Sequence, residues 1–127
     1  MPEGQDAVSV AERELAVRLS EDYAGWLSAN DGFKGDLGGC FLSLCAPDEL
    51  VRLDRGSAIS EFMPELVLIG TDGGGEGIGI DMRGQSRPVV LVGLGSLRWE
   101  EAIHEADSFH KFLHNRLDGY PFRLERT

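Results

Sequence analysis

The segment Leu66-Val-Leu-Ile-Gly-Thr-Asp-Gly-Gly-Gly-Glu-Gly-Ile-Gly-Ile-Asp-Met82 constrains this chain more than any other. Leu66 to Ile69 is a continuous apolar run, which predicts a central, buried strand. Ile78, Ile80 and Met82 alternate with Gly79 and Asp81, which predicts a strand with one face covered. The glycines between them reach positive φ without steric penalty, so the two strands can reverse tightly and pair. Val89 to Val92 is a further apolar run behind the polar turn Arg83 to Pro88. Runs joined by such short turns form an antiparallel meander.

The turn itself, Thr71-Asp-Gly-Gly-Gly-Glu-Gly77, invites a ligand reading. A phosphate loop ends in Gly-Lys-Ser/Thr and opens a helix. Here Glu76 stands in place of the lysine, a strand follows, and Asp72 and Glu76 would repel phosphate. The glycines lack the G-x-G-x-x-G spacing of a dinucleotide site. Asp72, Glu76 and Asp81 are hard oxygen donors, but the alternating acids of a calcium loop are missing. The favoured reading is architectural: Gly70, Gly73, Gly74 and Gly75 shape the reversal, and Asp72 accepts backbone N–H bonds within it.

Other chemistry is sparse. His110 and His114 are four apart on a predicted helix, so they share a face. Lys111 follows the first of them where a zincin motif needs Glu, which favours surface histidines. Cys40 and Cys45 have no zinc or redox spacing, and on one strand they would face opposite sides. They read as small core residues in a reducing compartment. No nucleophile elbow is present. No catalytic residue, metal or cofactor is therefore assigned.

Helices are expected at both ends. Ser9 with Glu12 forms a capping-box pattern, and Val8, Ala11, Leu15 and Leu19 recur at helical spacing, predicting a helix from about Val10 to Leu19 behind a frayed segment 1–7. Ser20 can cap a second helix with Tyr23, Trp26 and Leu27 on its apolar face, ended at Asn30-Asp31-Gly32. Cys40 to Cys45 predicts a strand and Pro47 to Leu53 a short helix; Arg55 to Pro64 is a loop with at most one helical turn. Asp107 or Ser108 caps the last helix, with Phe109, Phe112, Leu113 and Leu117 facing the core and Gly119 with Pro121 stopping it. This order is not that of a parallel α/β fold. It predicts a single α+β domain over 8–127, a mainly antiparallel sheet with helices on one side.

The chain has 127 residues and a net charge of −10. Phosphate backbones repel such a surface, which argues against nucleic acid as a partner, while a basic protein would be steered toward it. No apolar run approaches the ~20 residues of a membrane span. The acidic start lacks a signal peptide's apolar region, so the expected location is cytoplasmic.

Four segments together resemble the SUKH superfamily of SMI/KNR type. Leu19-Ser-Glu-Asp-Tyr-Ala-Gly-Trp-Leu27, with Asn30 and Gly32, resembles its Leu-Pro-x-x-Tyr-x-x-Phe-Leu…Asn-Gly segment. Leu68 to Glu76 is similar to its "iGsdGgGe" turn, Ile80-Asp-Met82 to the strand after it, and Ala106-Asp-Ser-Phe-His-Lys-Phe-Leu113 to its closing "iAdSFeeFL" helix. Ser20 stands where proline is usual, and Asp31 interrupts the Asn-Gly pair. The resemblance implies a SUKH-like α+β fold that works by binding proteins, with no catalytic residues to carry over. Many bacterial members look like immunity proteins that neutralise a co-encoded toxin, often a nuclease or deaminase. Others look like regulatory adaptors. Tyr23, Trp26, Gly70, Asp72, Gly73, Gly74, Gly75, Glu76 and Asp81 are the residues singled out as family signature or partner contacts. The expected partner is a toxin with a basic surface, and a small enzyme or metal-binding protein is the third alternative.

Overall fold

The computed structural model describes residues 3–30, 32–37, 39–56 and 59–119. Two helices open the chain, α1 (Glu3–Leu15) and α2 (Glu21–Ala29), followed by strands β1 (Phe33–Leu37) and β2 (Cys40–Leu44). Helix α3 (Pro47–Gly56) and the single turn α4 (Ile59–Phe62) lead into β3 (Leu66–Thr71), β4 (Glu76–Asp81) and β5 (Val89–Gly93). A 3-10 turn (Trp99–Glu101), β6 (Ile103–Ala106) and α5 (Phe109–Leu117) close it. The strands form one sheet in sequence order, β1 to β6, every neighbour antiparallel. The expected α+β class and antiparallel meander are what the chain forms.

The first helix departs from expectation in phase. It begins at Glu3, within the segment 1–7 that composition marked as frayed, and it ends at Leu15 rather than Leu19. Ala16 takes φ 57°, Ala16 N donates to the Arg13 carbonyl, and Val17 N donates to the Glu12 carbonyl. This is the Schellman stop, with Ala in the place glycine usually holds. Ser9 therefore lies mid-helix and is no cap. Glu12 instead works at the other end: its Oε2 accepts from Leu19 N at 2.8 Å, fixing the strand-like link to α2.

Ser20 stands at the N-cap of α2 without a side-chain capping bond, and the remaining caps follow their chemistry. Gly32, at φ 83°, takes the left-handed conformation expected after α2. Pro47 occupies the first position of α3, and Glu49 Oε1 reaches back to Ala46 N at 2.8 Å, the return half of a capping box. Ser108 Oγ accepts from Lys111 N at the start of α5, and Gly119 N donates to the Arg116 carbonyl at its end. Pro121, expected to help stop this helix, lies outside the described residues, as does Asp31.

The sheet is covered on both faces, unequally. On the first face Leu42, Leu44, Val67, Ile69, Ile78, Ile80, Val89 and Leu91 meet Ala11, Tyr23, Leu27, Leu50, Phe109 and Phe112 from the helices. On the second face Leu66, Leu68, Val90 and Val92 meet Ile59 and Met63, with Leu94, Leu97 and Trp99 packed alongside. The expectations of helices on one side and of a one-sided β4 are corrected accordingly: Gly77 and Gly79 are themselves buried, because leucines lie across them.

Helix α5 is rotated relative to its expected face. Phe109 and Phe112 are buried, but Leu117 is exposed and Arg116 takes the interior position. Arg116 lies 3.7 Å from Glu105 on β6, both nearly fully buried. A buried charge persists only with a counter-charge, and the sequence separates these two by a turn and most of a helix.

Candidate functional site

The glycine-rich reversal between β3 and β4 is built by its own side chains. Asp72 Oδ1 accepts from Gly74 N at 2.9 Å and from Glu76 N at 3.3 Å, while Thr71 Oγ1 accepts from Gly73 N at 3.2 Å. Asp72 N donates to the Glu76 carbonyl, closing the loop. Gly73 sits at φ 87°, where a side chain is strained, and a Cβ there would also lie 2.5 Å from the Phe41 ring. The Phe41 ring on β2 thus lies close against the turn at Gly73 while remaining exposed. Asp72 does the structural work expected of it.

Beside the turn lies an open hollow of about 410 Å³, lined by Ser43, Cys45, Glu49, Arg52, Leu53, Gly70 and Thr71. Ser43 is two residues beyond Phe41 on β2, hence on the same face. Gly70 forms the floor and lets β2 and β3 meet, since a Cβ on it would stand 2.0 Å from the Ser43 carbonyl oxygen. The groups facing the hollow suit contact more than reaction. Burial, then the nearby Glu49 charge, pushes the Cys45 thiol up to about 11, and a protonated thiol is a poor nucleophile. Arg52 pairs with Asp48 at 3.1 Å on the open surface. The side chain of Cys40 is outside the described residues.

Asp81, at the far end of β4, binds Arg83 through both oxygens, at 3.0 Å to Nε and 2.9 Å to the terminal nitrogen. Burial alone would raise its carboxyl, but the bonds from the Arg83 side chain and backbone, with the charges of Arg83 and Arg87, hold it below the usual carboxylate range. The Arg83 guanidinium in turn lies 3.6 Å from the centre of the Trp99 ring. Asp81 therefore ties the β4–β5 turn to the second face.

Tyr23 and Trp26 stand apart from these groups. Tyr23 is fully buried, edge-on to Phe109 at 4.8 Å, and Trp26 packs on Phe109 at 5.5 Å. Two of the nine singled-out residues are thus locking α2 against α5, and six (Gly70 and Asp72 through Glu76) gather at the turn. The chain matches the family model described as SMI1 / KNR4 family (SUKH-1) over residues 2–115. The chain belongs to the SMI1/KNR4 (SUKH-1) family. No curated protein matches it significantly. The family's anchors at Tyr23, the glycine turn and Phe109 are accordingly fold-forming here, since each sits at a packing or turn position. Membership fits a protein-binding role, whether immunity or regulatory.

Sequence reasoning passed over Phe41, Ser43 and the hollow. For Phe41 and Ser43 a signal was present: Phe41, Ser43 and Cys45 alternate with Leu42 and Leu44, the mark of a two-sided strand. Among the described residues, no helix is long and apolar enough to cross a membrane, and no three His, Cys, Asp or Glu side chains converge on a point that could hold a metal.

Proposed function

We propose that the protein is an immunity protein that binds and neutralises a toxin encoded beside it, in the cytoplasm of a bacterium. The supporting observation is the family match along residues 2–115. The net charge of −10 adds to it, because an acidic surface draws in the basic face of a nuclease or deaminase and speeds encounter. The turn Gly73–Gly75, Phe41 and the adjoining hollow form the contact surface in this reading, an aromatic side chain beside a concavity that a partner's side chain can enter. Co-expression with the neighbouring gene product tests it. Rescue of growth and a complex that weakens with salt are expected. A neighbour that is harmless, or whose toxicity is unaffected, defeats the proposal.

The same family match also accommodates a regulatory adaptor. Recovery of housekeeping enzymes by the tagged chain, without growth rescue, would favour that reading.

A further inference from the structure

Helix α5 places two imidazoles side by side on its outer face. His110 and His114 are four residues apart, both exposed, with ring centres 4.5 Å apart and planes inclined at 57°. Phe109, Phe112 and Arg116 hold the opposite face of the helix in the interior, so the pair rides on a fixed support. His110 N donates to Asp22 Oδ2 at 2.9 Å, which anchors the backbone beneath the first ring. Among the described residues no hydrogen bond or ion pair engages either imidazole. The third histidine, His104, is committed elsewhere, to Asp107 at 2.9 Å.

The spacing fits one coordination geometry better than another. A metal lies about 2.0 Å from a ligating imidazole nitrogen, hence about 3.2 Å from the ring centre. Two such rings at a right angle about the metal have centres about 4.5 Å apart, whereas tetrahedral ligation spreads them to about 5.2 Å. The observed ring-centre separation equals the right-angle value for rings whose donor nitrogens both face a shared metal. Right-angle nitrogen donors are the preference of tetragonal Cu2+ and Ni2+. We propose that His110 and His114 form a two-imidazole site for a tetragonal late transition-metal dication, Cu2+ or Ni2+. Two equatorial positions are filled by the chain, and two are left for water or for donors of a bound partner.

Calorimetric titration of the full chain with copper and nickel salts tests the site, alongside electron paramagnetic resonance of the copper form. One saturable equivalent is expected, with a tetragonal spectrum carrying two nitrogen donors. The second imidazole acts intramolecularly at an effective concentration on the order of millimolar, so His110→Ala and His114→Ala should each weaken binding at least about tenfold. His104→Ala should leave it unchanged. Both substituted side chains are exposed, so unchanged thermal unfolding of the metal-free variants confirms that the fold is intact. Undiminished binding by the double variant, the absence of a saturable equivalent, or a spectrum with one nitrogen donor would overturn the proposal.

Discussion

The two faces of the sheet are made by opposite means. On β4, Ile78 and Ile80 point to the helices while Gly77 and Gly79 point away. The first face is filled by what its residues add, an aliphatic layer under Tyr23, Phe109 and Phe112. The second is filled by what β4 lacks: Leu66, Leu68 and Leu94 lie across bare glycine backbone. A thick cover of helices forms on one side. The other carries one helical turn, a loop and the edge of α3 through Leu53, and it leaves the hollow and Phe41 accessible. The same alternation that sets the strand's period therefore decides which side of the molecule keeps an open hollow.

Removing substance from the first face should do the most damage. Phe109 is 1% exposed and touches Tyr23, Trp26 and Phe112. Phe109→Ala should destabilise by about 3–5 kcal/mol through lost burial and the cavity left behind, read from chemical denaturation. A loss below about 1 kcal/mol would mean that the helices close over the gap.

Adding substance to the second face should come next, and in a graded order. At Gly70 the obstacle to a Cβ is backbone, the Ser43 carbonyl oxygen at 2.0 Å. At Gly79 it is the Leu66 side chain at 2.7 Å, backed by the Val67 carbonyl at 3.2 Å. At Gly77 it is only side-chain ends, Leu94 at 2.8 Å and Leu68 at 2.9 Å. Side-chain ends can swing aside and strands cannot, so alanine should destabilise by about 3, 2 and 1 kcal/mol at positions 70, 79 and 77 respectively. Equal losses at positions 70 and 77 would show that the leucines are as immobile as the backbone.

The contrast also explains which parts were legible in the sequence. β3, β4, β5 and α5 announce themselves through apolar runs, alternation and a serine cap, and all formed near the expected positions. β1 and β6 do not. Phe33-Lys-Gly-Asp-Leu37 carries three residues that strands disfavour, and it is a strand because β2 offers it a full ladder from Phe33 opposite Leu44 to Leu37 opposite Cys40. Ile103-His-Glu-Ala106 hides its inward residue as Glu105, whose burial depends on Arg116. For α1 the local signals conflicted: Ser9 and Glu12 have capping-box spacing, yet Glu12 is used by Leu19 N. At the turn, Asp72 was readable because its bonds are to near neighbours. The hollow was not, since it depends on α3 settling beside β2 and β3.

A smaller effect of opposite sign tests how dry the first face is. The Tyr23 hydroxyl is buried with no hydrogen-bond partner among the described residues. Burial, with a further push from Cys45, raises its ionisation well above the usual tyrosine range. An unsatisfied buried hydroxyl is unfavourable. Tyr23→Phe, which keeps the ring contacts, should therefore be neutral or stabilising by up to about 1 kcal/mol. A clear loss of thermal stability would show that the hydroxyl has a bonding role.

The helical cover is fastened in part by a carboxylate, and its hold depends on pH. Asp22 on α2 accepts from Tyr23 N at 2.8 Å and from His110 N at 2.9 Å, so one carboxylate pins the start of α2 to the first turn of α5. Burial alone would raise its carboxyl; the bonds from the His110 N–H and the Tyr23 N–H outweigh it and lower the value below the ordinary one. A carboxyl depressed on folding adds stability above its unfolded value, about 3.9, and loses it as pH falls through the folded value. The side chain is largely solvated, so the effect is modest. Asp22→Asn should consequently be less stable than the native chain at neutral pH, with the difference shrinking below about pH 4 as the native carboxylate protonates. The second face holds the analogous Asp81–Arg83 pair, but that pair joins a turn to a strand end rather than helix to helix. Unfolding curves of both variants, Asp22→Asn and Asp81→Asn, across the acid range separate the two cases when read in a Trp99→Phe background that leaves Trp26 as the single tryptophan: loss of the helix-pinning carboxylate should slacken the packing of Trp26 against Phe109 and change its fluorescence before global unfolding, and Asp81→Asn should leave that signal unmoved. A pH-independent gap for Asp22→Asn would show that its bonds to α5 do not depend on charge.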